Sequence, residues 1–416
     1  MVDDAAAQRE ATKLHDLAVV GGGLIGAAAA LGAAQQGLRV VLLDRVRPVW
    51  RPGRLGMDVR NVAVSPASQG LLHRLGVWRD QDAVPYTHMR VWEERGTRAI
   101  EFDAAEVARG ELGWILENGP LVDRLWRKLA ALDNVALLPG NQVADVDPGA
   151  QDARLTLAPV GDGSRAETTI RARLVIGADG ARSSLRELLR VGADSFDTGH
   201  HALATVVRTA RPHKGRAFQR FLLDGPLALL PGKDPRQSAV VWSQSPSAAA
   251  RRADLDETSF CDELADAAEK CLGAVDAADQ RLVFPLQQML VASFNPHPRV
   301  LLVGDAARVL HPLAGLGANL GFEDVADLLG ELGRLPAGGD PGEPGLWQAF
   351  ARRRRARARM MLDLMGGLRR VYASGDPLMQ WLRNISVDWL NGALPVKRQI
   401  IREALGLGPL ARLPLR

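Results

Sequence analysis

Short uncharged runs of apolar residues, each followed by glycine or an acidic residue, dominate the pattern of the first part of the chain. Leu17–Val20 has the continuous apolar character of a strand that is buried on both faces. A glycine-rich turn follows it, and the alanine-rich stretch Ala27–Ala34 then predicts a helix. A second apolar run, Arg39–Leu43, predicts another strand and ends at the acidic Asp44. This order of strand, helix and strand predicts a βαβ unit on a parallel sheet.

Later segments alternate between strand-like and helical patterns. The apolar runs that precede Asp179 and Gly304 predict two more buried strands. Further strands are predicted at Val91–Phe102, Ala204–Val207, Phe218–Leu222, Ala239–Trp242 and Leu286–Ala292. Further helices are predicted at Leu121–Leu132 and Asp254–Leu272 and from about Leu316 onward. The pattern favours an α/β protein in which a mainly β segment interrupts the strand-helix units.

The glycine turn after the first strand carries the most specific chemical signal. Gly21, Gly23 and Gly26 have the G-x-G-x-x-G spacing, in which the glycines allow a tight turn, a close phosphate and helix-strand packing. The start of the following helix offers free N–H groups and a partial positive charge to a pyrophosphate. Asp44 stands where a carboxylate can accept hydrogen bonds from an adenosine ribose. The alternative is a glycine-rich structural turn, but the register of all these parts predicts a dinucleotide site.

Two further segments end a buried strand in an aspartate. The first is the Asp179-Gly turn, which runs into a helix that Ser183 can cap. The second is Gly304-Asp305, followed by a loop and a helix that starts near Asn319. Asp305 can accept hydrogen bonds from ribityl hydroxyls, and the new helix start can face a ring that becomes anionic on reduction. A turn or cap aspartate is the alternative for Asp305 when it is taken alone.

Composition narrows the function classes. The chain has 416 residues, 47% hydrophobic and 24% charged, which is ordinary for a large globular protein. Its net charge of +4 is spread over many arginines, so nucleic-acid binding is not expected. Two cysteines and eight scattered histidines predict neither a disulfide framework nor a metal site. Leu17–Ala34 carries no charge, but its glycines argue against a membrane span. We expect a soluble, cytoplasmic protein, with peripheral contact at the inner face of the membrane left open.

With these motifs in place, the chain resembles the flavoprotein aromatic hydroxylases of the p-hydroxybenzoate hydroxylase fold. Within them it is most similar to the ubiquinone-biosynthesis hydroxylases, and to their branch that acts on the polyprenylphenol ring. The segments that carry this closer resemblance are Arg60–Ser68, Leu75–Trp78, Met89–Trp92, Phe102–Glu106, Leu112–Asn118, Pro226–Pro231, Val241–Ser243 and His311–Gly315. They are spread over most of the chain, so the resemblance extends beyond the cofactor motifs.

The resemblance implies an FAD-binding Rossmann-like domain of the glutathione-reductase type with an inserted, mainly β substrate domain and a C-terminal helical region. It divides the chain into an FAD-binding domain at 14–86, 112–192 and 281–335, a substrate domain at 87–111 and 193–280, and a C-terminal region at 336–416. It also implies FAD as the cofactor. The residues implied to bind it are Gly21, Gly23, Gly26, Asp44, Arg45, Arg60, Asp179, Gly304, Asp305, Pro312, Gly315, Gly317, Ala318 and Asn319.

Three residues depart from the family pattern beside the flavin. Arg308 stands where relatives usually carry histidine, Leu316 where many carry glutamine, and Gly119 where some place a basic residue. These departures bear on the rate and on the choice of reductant more than on the cofactor itself.

The reaction implied by the resemblance is monooxygenation through a flavin C4a-hydroperoxide, whose distal oxygen is attacked by a phenol ring. Its partners are O₂, a polyprenylated phenol, and either NAD(P)H or an electron-transfer protein, within a quinone-biosynthesis complex. The sequence identifies no catalytic base. Two alternatives stay open: a non-catalytic flavoprotein scaffold in such a complex, and a flavin hydroxylase of another aromatic compound.

The C-terminal region is basic and amphipathic. The arginine-rich stretch Arg352–Arg359 is predicted as part of a long helix, with a solvated basic face packed on the FAD domain. Attraction to anionic lipid headgroups is the alternative. From Trp381 to Arg402, tryptophans and aliphatic residues alternate with basic ones, which is typical of an interfacial or partner-binding segment and equally compatible with core packing.

Overall fold

The computed structural model describes residues 10–94, 98–161, 167–310, 316–373 and 394–404. Its strands form three sheets with helices packed around them. The strands of the first half are β1 Leu14–Val20, β2 Val40–Asp44, β3 Asn61–Val64, β4 Val84–Tyr86, β5 His88–Glu93, β6 Ala99–Asp103, β7 Gly113–Glu117, β8 Val135–Pro139, β9 Asn141–Pro148 and β10 Ala153–Pro159. Those of the second half are β11 Thr168–Gly177, β12 Ala193–Thr209, β13 Arg216–Leu222, β14 Gly225–Pro231, β15 Gln237–Gln244, β16 Val275–Ala278, β17 Leu282–Val291, β18 Val300–Leu302 and β19 Arg308–Val309.

The helices include those predicted from the sequence and two, at Pro66–Arg74 and Pro246–Asp254, that were not predicted. They are α1 Leu24–Gln35, α2 Pro66–Arg74, α3 Asn118–Ala130, α4 Ser184–Leu188, α5 Pro246–Asp254, α6 Glu257–Ala267, α7 Leu316–Leu332, α8 Gln348–Ala373 and α9 Leu394–Ala404. Among the described residues, no helix is both long enough and apolar enough to cross a membrane.

A seven-stranded sheet contains the predicted βαβ unit. Its strand order is β8-β2-β1-β11-β10-β9, with β18 beside β11. The strands β8, β2, β1, β11 and β18 run parallel, whereas β9 and β10 are antiparallel. Both faces are covered, because Leu17 and Val19 pack into one core while Ala18 and Val20 pack into the other. This arrangement explains why β1 reads as a continuous apolar run.

A nine-stranded, mostly antiparallel sheet forms the second layer. Its order is β19-β17-β12-β15-β14-β13-β5-β6, with β16 beside β12. Trp242 of this sheet and Phe260 of α6 are fully buried in its core. β17 pairs in this sheet, although the predicted domain boundary assigns residues 281–335 to the FAD-binding domain. A small third sheet has the order β3-β7-β4. In sequence, its strands lie between the Gly21 turn and the Asp179 turn.

Two predicted elements differ from the structure. The helix predicted at Asp254–Leu272 is the shorter α6, because the side chain of Asp256 accepts a hydrogen bond from the Ser259 N–H (2.9 Å) and caps its start, and the helix ends at Ala267. The single strand predicted at Val91–Phe102 is the antiparallel pair β5 and β6.

The arginine-rich stretch is not simply a solvated face. Arg354 and Arg357 in α8 are buried, and both pair with Glu323 of α7. Arg352 is exposed, so the stretch has one buried and one solvated side. The tryptophan-containing part of the predicted interfacial segment, from Trp381 to Leu390, lies outside the described residues. The Lys397 ammonium of α9 forms an ion pair with Glu106 (2.6 Å).

Candidate functional site

The glycine turn has the geometry that its spacing predicts. Gly21 adopts a φ of +102°, and a Cβ there would lie 2.4 Å from the carbonyl oxygen of Ala178. A Cβ on Gly26 would lie 1.8 Å from the carbonyl oxygen of Gly21. At Gly23, by contrast, a Cβ would meet no atom of the described residues within 4 Å. The fold itself therefore requires glycine at positions 21 and 26, whereas Gly23 leaves open space at the start of α1.

Asp44 supports this turn as well as facing its cleft. One carboxylate oxygen accepts a hydrogen bond from the Gly22 N–H (2.6 Å), and the other accepts one from the Val46 N–H (3.0 Å). Each oxygen keeps capacity for a further donor. The residue predicted for the ribose thus also holds the backbone on which a phosphate would rest.

Sequence reasoning missed Trp126 of α3. Its indole N–H donates to the Gly22 carbonyl (2.7 Å) in a buried contact. A Cβ on Gly22 would lie 2.3 Å from the Trp126 ring. Gly22 is therefore also restricted to glycine, although it lies outside the G-x-G-x-x-G spacing. The run of three consecutive glycines was the available signal.

A cleft of about 260 Å³ opens over this turn. Five of the predicted residues line it: Gly21, Gly23, Asp44, Arg45 and Asp179. The polar and flanking lining residues that sequence reasoning missed include Asn141, Gln142, Val143, Gly180, Arg182 and Ser184. Asn141, Gln142 and Val143 belong to β9, which carries no motif. Only the fold brings β9 to the cleft.

Asp179 is fixed at the start of α4. One of its carboxylate oxygens accepts hydrogen bonds from the Leu185 N–H (3.1 Å) and the Ser184 hydroxyl (3.2 Å). Ser183 caps the helix as predicted, accepting from the Arg186 N–H (3.0 Å). The other oxygen of Asp179 is buried, and no described residue forms a hydrogen bond with it. A buried carboxylate oxygen without a donor is costly, and a bound group that donates to it would remove that cost.

Gly304 and Asp305 form a short 3₁₀ turn after β18. Gly304 has a φ of +59° and packs against Ile25 of α1, which joins this turn to the first motif. Burial raises the pKa of the Asp305 carboxyl, against the opposing charge of Arg308. The side chain nevertheless keeps exposed surface. The Asp305 carboxyl is therefore partly desolvated by the surrounding protein and still accessible to a ligand.

An ionic chain lies directly beneath this turn. Asp324 of α7 is buried; its Oδ2 accepts from the Gly304 N–H (2.9 Å) and the Arg308 guanidinium (2.5 Å), and its Oδ1 from Arg354 (2.6 Å). Burial alone lowers the pKa of Arg354, but the charges of Asp324, Glu323 and Asp327 outweigh it and raise the pKa above its ordinary value. The departure at Arg308 is thus matched by a buried carboxylate.

Asn319 anchors the start of α7. Its side-chain oxygen accepts from the Ser65 N–H (2.9 Å) and the Ser68 hydroxyl (2.8 Å), and its NH₂ donates to the Ala63 carbonyl (2.7 Å). These protein contacts join α7 to β3 and α2. Gly317 and Ala318 occupy the first turn of the same helix. Pro312 and Gly315 lie outside the described residues.

Arg60 is exposed just before β3. Its carbonyl accepts from the Asn118 N–H (2.9 Å), which places it beside the start of α3. At that helix start the Gly119 N–H donates to Asp58 (2.9 Å), and a Cβ on Gly119 would lie 2.1 Å from the ring of Trp50. The departure at Gly119 therefore makes room for a tryptophan.

These observations fit an FAD molecule. The open space at Gly23, the uncapped start of α1, the donor-free oxygen of Asp179 and the accessible Asp305 would serve a pyrophosphate, its flanking sugars and a ribityl chain. Within the described ranges, no cluster of three or more histidine, cysteine or acidic side chains is placed to hold a metal ion.

Comparisons with known proteins agree with this fit. The FAD binding domain family matches residues 15–365. The 3-demethoxyubiquinol 3-hydroxylase of Escherichia coli (strain K12) is 33% identical over 403 residues, covering 94% of this chain and 98% of that protein. The ubiquinone hydroxylase UbiL of Rhodospirillum rubrum is 32% identical over 405 residues, covering 96% of this chain and 92% of that protein.

Solved structures show the same fold. The p-nitrophenol 4-monooxygenase PnpA from Pseudomonas putida DLL-E4 has a TM-score of 0.76 at 22% identity, covering 95% of this chain and 99% of that chain. Aklavinone-11 hydroxylase in complex with FAD and aklavinone has a TM-score of 0.65 at 22% identity, covering 84% of this chain and 67% of that chain. At these identities the likeness establishes the fold alone.

Proposed function

We propose that this chain, which belongs to the FAD-dependent hydroxylases of ubiquinone biosynthesis, hydroxylates the aromatic ring of a polyprenylated phenol. The single observation that carries the proposal is the full-length similarity to 3-demethoxyubiquinol 3-hydroxylase. The cleft described above supports it, because its glycines and acids suit the same cofactor. O₂ and a reduced electron donor complete the reaction. The donor is either NAD(P)H or an electron-transfer protein.

We assign the ADP half of FAD to the cleft and its ribityl chain to the Gly304-Asp305 turn. The start of α1, with Gly21 and Gly23, would hold the pyrophosphate, and Gly26 would keep α1 close to β1. Asp44 and Arg45 would flank the adenosine ribose, and Asp305 would accept hydrogen bonds from the ribityl chain. Arg60 and Asp179, with Gly317 and Ala318, complete the proposed set. Gly304, Asn319, Pro312 and Gly315 are its remaining members.

When bound and reduced, FAD activates O₂ for transfer of one oxygen atom to an electron-rich ring. The protein's part is to position the ring and exclude water, since water favours loss of the activated oxygen as peroxide. The nine-stranded sheet would supply the walls of the substrate site. We name no catalytic base.

We place this protein in the cytoplasm, at the inner face of the membrane that holds its polyprenylated substrate, within an assembly of quinone-synthesis enzymes. A non-catalytic flavoprotein in such an assembly is the second candidate, and hydroxylation of another aromatic compound is the third. Intact cofactor geometry disfavours the scaffold, because a scaffold has no chemical need for it.

Quinone-intermediate profiling in a strain that lacks this gene tests the proposal. We expect one under-hydroxylated prenylphenol to accumulate, to disappear when the gene is restored, and to persist when the restored gene carries Asp305→Ala. A quinone profile that the deletion leaves unchanged would contradict the proposed substrate. Clearance by the Asp305→Ala form as complete as by the native form would favour the scaffold.

A further inference from the structure

The segment that follows β2, residues 45–51, presents unusual apolar surface; we name it the cleft-edge loop. Val46 is 68% exposed, Val49 is 75% exposed and Trp50 is 38% exposed. Isolated exposed apolar residues are ordinary, but three within five positions form a patch, and such patches mark interaction sites. The loop begins at Arg45, which also lines the cofactor cleft.

The cleft-edge loop also carries three positively charged arginines. Arg45, Arg47 and Arg51 are exposed, and in the part of the chain that the structure describes none of them pairs with a carboxylate. Arg54, just beyond the loop, differs because its guanidinium binds Glu257 (2.5 Å). No acidic residue occurs from position 45 to position 57. The loop therefore offers three unneutralised positive charges beside its apolar side chains.

Both ends of the loop are held by the protein. The Val46 N–H donates to Asp44 (3.0 Å), and the Trp50 ring packs over Gly119 at the start of α3. Pro48 and Pro52 restrict the backbone between and beyond these points. Val46 and Val49 are thus presented from a fixed support, which lowers the entropy lost when the loop meets a partner.

We propose that the cleft-edge loop docks this protein on an anionic bilayer surface. Valine and tryptophan side chains suit the boundary between headgroups and acyl chains, where tryptophan is enriched. Arg47 and Arg51 would bind lipid phosphates, which are the complementary charges that the described part of the protein does not supply, while Arg45 stays with the cofactor cleft. An acidic protein partner would satisfy the arginines as well. We favour the bilayer because the substrate assigned under the proposed function is dissolved in it, and on that point the inference rests on that function.

Co-sedimentation of the FAD-loaded protein with vesicles tests the proposal. We expect binding to vesicles of equal parts phosphatidylcholine and phosphatidylglycerol, and little binding to phosphatidylcholine alone. Removing each basic residue weakens such binding about fivefold, so Arg47→Glu with Arg51→Glu should weaken it about 25-fold or more. Val49→Asp should weaken it about tenfold, because it removes an inserted side chain.

Matched controls separate the loop from net charge and from general hydrophobicity. Arg154→Glu with Arg236→Glu makes the same change in net charge at exposed positions elsewhere. Leu223→Asp changes an apolar side chain that is 57% exposed. Leu223 differs from Val49 in its acidic surroundings, because it stands next to Asp224 and its N–H donates to Glu94. We expect both control proteins to bind vesicles as the native protein does. Equal losses in the control and loop variants would overturn the assignment.

A fluorescent label can report contact directly. Burial raises the pKa of both native thiols, Cys261 and Cys271, to about 11, so at neutral pH a maleimide dye should label Val49→Cys in preference to them. A polarity-sensitive dye at position 49 should shift to shorter wavelength on adding anionic vesicles. The same dye on Leu223→Cys should not shift.

The outcomes keep this inference separate from the proposed function. FAD content and hydroxylation of a short-chain prenylphenol in detergent should be unchanged by Arg47→Glu with Arg51→Glu. If the native protein binds no vesicles, or if the loop variants bind as well as it does, the docking proposal is wrong. Binding of the native loop to an acidic protein without vesicle binding would replace the bilayer by that partner. If the native protein does not hydroxylate a short-chain prenylphenol in detergent, that result counts against the proposed function and not against vesicle docking.

Discussion

The Asp324→Asn substitution tests how the protein holds the Gly304-Asp305 turn. In the native protein the Asp324 carboxylate lies between the guanidinium groups of Arg308 (2.5 Å) and Arg354 (2.6 Å) and is fully buried. The amide removes its charge but keeps an oxygen that can accept from the Gly304 N–H. Arg354 then keeps only Glu323 (3.1 Å) and Asp327 (3.6 Å), which are farther from it, and Arg308 loses its ion pair with Asp324.

The size of the expected loss in stability follows from the burial of Asp324 and of the two arginines that pair with it. Breaking a buried ion pair by removing one partner costs about 3–5 kcal/mol, because an uncompensated charge stays out of water. We expect Asp324→Asn to lower the free energy of unfolding by that amount. A typical domain has about 5–15 kcal/mol in total, so the variant should still fold and its loss should be measurable.

Urea denaturation of the FAD-free protein measures this loss without the contribution of ligand binding. Asp363→Asn is the matched control, because Asp363 pairs with Arg359 (3.3 Å) on the exposed side of α8. That pair should contribute less than about 0.5 kcal/mol. FAD titration of both variants then shows whether the turn has moved. If Asp324→Asn costs no more than the control, the ionic chain does not support the turn and the reasoning is refuted.

Three further predictions concern the cofactor cleft and the thiols. Gly23→Val should fold normally, since no atom of the described residues lies within 4 Å of a Cβ there, yet bind no FAD, because its side chain would fill the pyrophosphate space; a variant purified fully loaded and yellow would contradict this. Because burial raises the native pKa of Asp305, the FAD-free protein should lose stability as the pH rises from the ordinary aspartate pKa through the raised one. Asp305→Asn should abolish that loss and weaken FAD binding. Thermal unfolding of both proteins between acidic and neutral pH measures the effect, and the same pH dependence of stability in the two proteins would contradict the prediction. Cys261 and Cys271, with pKa values of about 11, should react slowly with a thiol reagent at neutral pH in the folded protein, and rapid labelling of both would contradict the burial that the structure shows.

The sequence predicted the parts of the cleft whose chemistry restricts residue type. Gly21 and Gly26 cannot carry a Cβ in this turn, so their spacing is visible in any single sequence. Asp179 and Asp305 follow buried strands, which is where parallel sheets present ligand-binding loops. The family resemblance then supplied the cofactor and the reaction. The domain boundaries and the assignment of individual residues to FAD stay predictions.

The parts that were missed depend on tertiary contacts. Trp126 reaches Gly22 across 104 positions, and Asn141 reaches the cleft through strand β9; neither carries a motif. Arg354 and Arg357 looked solvated because arginine runs usually are. The missing signal was the spacing of charges on two helices, since Glu323 and Asp327 lie about one turn apart on α7 and pair with Arg357 and Arg354, which lie about one turn apart on α8.

The most direct test of the central claim is the source of the oxygen atom in the product. The purified, FAD-loaded protein would be reduced and given a short-chain prenylphenol under isotopically heavy dioxygen (¹⁸O₂), and the product would be analysed by mass spectrometry. The account predicts a ring-hydroxylated product that contains one heavy oxygen atom per new hydroxyl group, and none when only the water is heavy. Oxygen derived from water, or reduced flavin that yields only hydrogen peroxide with every phenol tried, would contradict it.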